Sequence, residues 1–92
     1  MALVTLLVRY YGHVQGVGFR AGTRAIAQGF QLKGWVKNEP DGSVQMVVTA
    51  ETAELQAFLK AIRASRLGHN ITREVQEPMA HPGPLDGFNI AT

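Results

Sequence analysis

The run Leu3-Val4-Thr5-Leu6-Leu7-Val8-Arg9-Tyr10-Tyr11 passes straight into Gly12-His13-Val14-Gln15-Gly16-Val17-Gly18-Phe19-Arg20. Its first part reads as a strand, apolar on both faces, with Arg9 its single charge. Beyond the glycines, Arg20 to Gln28 reads as a helix stopped by Gly29, with Phe19, Thr23, Ile26 and Ala27 at inward-facing spacing. A strand that empties through closely spaced glycines into a helix start is predicted to hold an anion. Glycine lets the backbone curl so that successive N–H groups point inward, and the helix N-terminus adds unpaired donors and partial positive charge. The backbone of Val14, Gln15, Gly16, Val17, Gly18 and Phe19 is the expected phosphate cradle. Arg20, at its far end, can close a planar fork on two phosphate oxygens.

Outward from that segment, Gln31 to Lys37 alternates as a strand, with Leu32, Gly34 and Val36 on one face and Lys33, Trp35 and Lys37 on the other. Pro40-Asp41-Gly42 is a hairpin turn, Pro presetting φ and Gly supplying a positive φ. Ser43 to Thr49 follows as a third strand, with Val44, Met46 and Val48 facing inward. Thr52 to Arg66, ended by Gly68, carries Leu55, Phe58, Leu59 and Ile62 on one face of an amphipathic helix. Ile71 to Val75 alternates as a fourth strand. Gln76 to Gly87, with Pro78, Pro82 and Pro84, reads as a loop, and Phe88 to Ala91 adds a short last strand. The order β-α-β-β-α-β without repeat or linker predicts a single α+β domain over residues 1–92, a ferredoxin-like split βαβ sandwich. Its sheet is expected to be antiparallel, with both helices on one face.

That topology also predicts a site. The helix between the first and second strands makes them parallel, so both end at the same edge of the sheet. Asn38, ending the second strand, is thereby expected beside the cradle that carries Arg20. Transfer of a phosphoryl group to water needs the phosphoryl charge neutralised and a water held in line with the bond that breaks. Backbone N–H groups and one guanidinium supply the first, and an amide with both donor and acceptor supplies the second.

Composition narrows the alternatives. The 92 residues, 46% hydrophobic and 17% charged, suit a small globular domain. Lacking cysteine, the chain has no disulfide, thiolate metal site or thiol redox chemistry, which fits a cytoplasmic protein. Its nine Lys and Arg exceed seven Asp and Glu by 9 − 7 = 2, and they are scattered, so no nucleic-acid footprint is read. The apolar start, Ala2 to Val8, lacks a basic leader region and is far too short to span a membrane, so it reads as a buried strand. His13, His69 and His81 are widely spaced and form no ligand cluster, so neither a metal nor another cofactor is expected. Gly16-x-Gly18-x-x-Ala21 fits the loose dinucleotide pattern, but the chain is too short for the two halves of that fold, and no Gly-Lys-Ser or Gly-Lys-Thr marks a Walker loop.

The string Gly12-x-Val14-Gln15-Gly16-Val17-Gly18-Phe19-Arg20 closely resembles a signature of the acylphosphatase family. Gly34-Trp35-Val36-Lys37-Asn38-Glu39-Pro40-Asp41-Gly42-Ser43-Val44 resembles that family's other signature, in the same order and at the same separation. The resemblance implies the same fold and a hydrolase of small acyl phosphates, with Arg20 binding phosphate and Asn38 orienting water. The chain departs from the family at Gly22, where a large side chain is usual, and extra room beside the phosphate is one expected consequence. Some family members set their arginine against the C-terminal carboxylate. For Thr92, a frayed terminus is the favoured expectation and that contact the alternative. A monomer is expected, with no nucleic-acid or membrane partner. The competing function is a non-catalytic phosphate-binding or regulatory module on the same fold. An RNA-binding module is disfavoured because the third strand carries no aromatic residue.

Overall fold

Strand alternation sorts the residues between two faces of one sheet. In the computed structural model, which describes residues 2–80 and 82–91, Val8, Tyr10, Val36, Val44, Met46, Val48 and Ala50 are all buried in the main core. They come from β1 (Leu3–Gly12), β2 (Lys33–Asn38) and β3 (Val44–Glu51). Two helices, α1 (Phe19–Ala27) and α2 (Thr52–Ala64), cover this face with Phe19, Ala27, Leu55, Phe58, Leu59 and Ile62. The remaining strands are β4 (Ile71–Pro78) and β5 (Phe88–Ile90).

The strand order is β4-β1-β3-β2-β5. The first four strands of that order pair antiparallel, as expected, whereas β5 runs parallel to β2, with Val36 opposite Ile90. The sheet is therefore mixed, not wholly antiparallel: the chain leaving β4 crosses the full width of the sheet before it pairs again. β1 and β2 each run antiparallel to β3 between them, so the two point the same way and end at one edge.

Two boundaries differ clearly from the expected ones, each for a local reason. The second helix stops at Ala64, not Arg66, because the Ser65 hydroxyl accepts from Leu67 N–H at 3.1 Å and caps a separate 3₁₀ turn, Arg66–Asn70. The fourth strand continues to Pro78, which sequence reading assigns to a loop. β4 is an edge strand paired only with β1, so the missing proline N–H falls on the open side. Val47, on the face away from the helices, is fully buried, and lies in register between Leu7 and Trp35. That open face also carries the Arg9–Glu77 ion pair and Arg73 stacked 4.7 Å from the Tyr11 ring centre. Tyr10, one residue earlier, turns into the core beside Phe19, with ring centres 5.2 Å apart. Burial, and then the neighbouring Glu74 charge, push the Tyr10 phenol well above its ordinary value, so it stays neutral.

Candidate active site

The loop after β1 is built to leave its N–H groups unspent. Register slips at Tyr11/Gly12, and His13 N–H donates to Asn70 O at 3.0 Å, the last main-chain bond before the turn. Gly16 (φ 77°) and Gly18 (φ 75°) are left-handed, and Val17 between them is not. This alternation makes neighbouring N–H groups converge, and a β-carbon at either glycine would be strained. Gly18 is also the N-cap of α1, offers no side-chain cap, and precedes a first turn without an acid. Among the described residues, no N–H from Val14 to Ala21 donates a hydrogen bond to the protein. A helix start left uncapped in this way attracts an anion.

The loop walls a cleft of about 180 Å³. Val14, Gly16, Gly18 and Phe19 line it from the loop, Arg20 and Ala21 from α1, Asn38 from the end of β2, and Ile90 from β5. Arg20 and Asn38, far apart in sequence, are thus brought to one cavity by the shared sheet edge. Arg20 forms no ion pair with any described residue. The Asn38 Oδ1 is buried and accepts no hydrogen bond from the described residues. A buried acceptor left without a donor costs on the order of 1–3 kcal/mol.

Gln15 and Val17 belong to the loop but do not line the cleft. Gln15 instead sends its side-chain amide to the turn after β2, where Nε2 donates to Glu39 O at 2.7 Å and Ser43 O at 2.8 Å. These two bonds strap the cradle to the hairpin that follows Asn38. Val17 packs against the core, and its carbonyl accepts from Arg66 Nη1 at 3.5 Å. The hairpin itself is closed by Glu39 N–H to Ser43 O at 2.9 Å and Gly42 N–H to Glu39 O at 3.1 Å. Asp41 Oδ1 accepts from both Ser43 N–H (2.9 Å) and Ser43 Oγ (2.6 Å), and these bonds hold its carboxyl below the ordinary value.

Sequence reading missed three features here. It gave Gln15 only a backbone role, it gave Arg66 none, and it put Ile90 on a strand without tying it to the site. The expectation for Gly22 is corrected: it does not border the cleft. A β-carbon there would sit 3.1 Å from Leu67 Cδ1 and 3.5 Å from Arg66 Nη2, so the glycine admits the 3₁₀ turn against α1. Thr92 and His81 lie outside the described residues.

Known proteins match this arrangement over most of the chain. The family model for acylphosphatase matches residues 6–90. An acylphosphatase of Mesorhizobium japonicum is 42% identical over 79 residues, spanning 85% of this chain and 84% of its own. An acylphosphatase of Lactobacillus gasseri is 49% identical over 61 residues, 66% of this chain and 67% of its own. The crystal structure of acylphosphatase from Bacillus subtilis superposes with a TM-score of 0.86 at 28% identity, covering 99% of this chain and 100% of that one. With both signatures meeting at one cleft and the match spanning nearly all of the chain, this protein belongs to the acylphosphatase family.

Proposed function

We propose that this single domain hydrolyses small acyl phosphates to a carboxylate and inorganic phosphate, with Arg20 and the cradle N–H groups binding the phosphoryl group and Asn38 orienting the attacking water. The observation that carries the reading is the meeting, at one cleft, of unspent N–H donors, the Arg20 guanidinium and the Asn38 amide, whose buried Oδ1 has no partner among the described residues. The donors and the Arg20 guanidinium suit phosphoryl oxygens, whose charge they neutralise as the bond loosens. Asn38 Oδ1 suits a water O–H, leaving the water's lone pair free to point at phosphorus.

The chemistry then closes on the substrate itself. Water oxygen forms a bond to phosphorus, and the phosphorus–oxygen bond to the acyl group breaks. The carboxylate leaves with that electron pair, and the water's proton passes to an oxygen of the same phosphate. No side-chain base is required, because the phosphate takes the proton, and no side-chain acid, because the carboxylate leaving group is weakly basic.

The test is release of benzoate from benzoyl phosphate after exhaustive dialysis against EDTA. Undiminished turnover is expected, abolished by Arg20→Ala. A chain that binds phosphate yet leaves benzoyl phosphate intact would overturn the reading, as would activity restored only by added Mg²⁺.

A further inference from the structure

The cleft does not end at its apolar wall. Ala21 and Ile90 also line a second, shallower groove of about 340 Å³, completed by Arg24, Ala25 and Gln28 along α1. The two concavities thus meet at the Ala21–Ile90 wall. Ile90 is 37% exposed and so offers apolar surface at the wall between the two concavities. Arg24 forms no ion pair with any described residue, and Gln28 Nε2 donates to the Arg24 main-chain oxygen at 3.5 Å. Arg24, four residues after Arg20, lies on the same side of the helix, about 6 Å further along the axis.

We propose that the acyl group of the substrate crosses Ile90 and Ala21 into this groove, and that Arg24 selects acyl groups bearing a second, distal carboxylate. The inference rests on the hydrolase reading above. With the phosphoryl group in the cradle, the departing acyl part has an apolar surface to cover at Ile90 and a planar guanidinium one helical turn away. Arg24 is matched in shape to a carboxylate. A partner reached across an exposed groove gives a modest gain that salt screens.

The test compares para-carboxybenzoyl phosphate with its neutral isostere, para-carbamoylbenzoyl phosphate, each corrected for spontaneous hydrolysis. At low ionic strength kcat/KM is expected to favour the carboxylate by about three- to fivefold, a preference that shrinks as salt is added. Arg24→Gln is expected to bring the ratio to about one, Arg24→Lys to keep much of it, and Arg24→Glu to invert it. An unchanged ratio in Arg24→Gln, or an equal loss for both substrates, would overturn the assignment. Turnover of both substrates without preference in the wild type would overturn this inference alone, and turnover of neither would overturn the hydrolase reading beneath it.

Discussion

The two glycine-containing turns at the site edge of the sheet obey opposite rules. The hairpin Glu39–Ser43 uses its own polar groups: two main-chain bonds close it, and Asp41 occupies both the N–H and the hydroxyl of Ser43. The loop Val14–Ala21 uses none of its N–H groups on the described protein. A turn that satisfies itself is scaffold, because nothing further is gained by bringing a ligand to it. A turn that leaves its donors converging on a cleft retains that gain for a ligand, and the fold must hold it open by other means. Gln15 is that means, since its two bonds run from the open loop to the closed one.

Substitutions on either side of this contrast should differ in kind as well as size. The largest effect is expected at Arg20. Arg20→Ala should lower kcat/KM by about 10³-fold or more, as loss of a phosphoryl-bound arginine does elsewhere. Arg20→Lys should recover little, lacking the planar fork. A variant retaining most of its turnover would remove the open loop's claim to the phosphate. Asn38→Ala comes next, with kcat falling about 10²-fold while the inhibition constant of inorganic phosphate moves less than about twofold. The reverse pattern, weak phosphate binding with normal kcat, would make Asn38 a ligand of phosphate.

Gln15→Ala should loosen the strap between the turns. Thermal unfolding should show a loss of about 1–3 kcal/mol, because the Glu39 and Ser43 carbonyls lose a shared donor. Phosphate affinity should fall with it, since the cradle is no longer held over Asn38. A destabilised variant with intact phosphate affinity would show that the loop keeps its shape unaided. The smallest effect is expected at the closed hairpin. The Ser43 bonds lower the Asp41 pKa in the folded state, so its contribution is present above the ordinary carboxylate value of 3.8 and is lost as pH falls through the lower folded value. Asp41→Asn should therefore lower the melting temperature slightly near neutral pH and remove that part of the acid dependence, leaving kcat intact. An altered kcat would mean that the hairpin is no mere scaffold.

Arg20 and Asn38 were legible because their meeting follows from topology: a crossover helix makes two strands parallel, and parallel strands end together. The cradle was legible because glycine spacing reports backbone shape directly. Gln15 was not, because its partners are carbonyl oxygens whose position depends on how the hairpin docks, and no residue type marks them. Ile90 escaped for a similar reason. Its strand spans only Phe88–Ile90, and its parallel pairing with β2 is set by a connection across the whole sheet. Pro78 misled the strand boundary because proline is excluded from sheet interiors but tolerated on an edge, and edge position is a tertiary fact.

The contrast between the turns can be read residue by residue in the amide spectrum of the ¹⁵N-labelled chain titrated with inorganic phosphate. The N–H signals of Gly16, Gly18, Phe19 and Arg20 should move downfield and saturate together as they gain an acceptor, while those of Gly42 and Ser43, already bonded, should stay in place. Shifts confined to the hairpin, or spread evenly over both turns, would contradict the assignment of the open loop as the phosphate site.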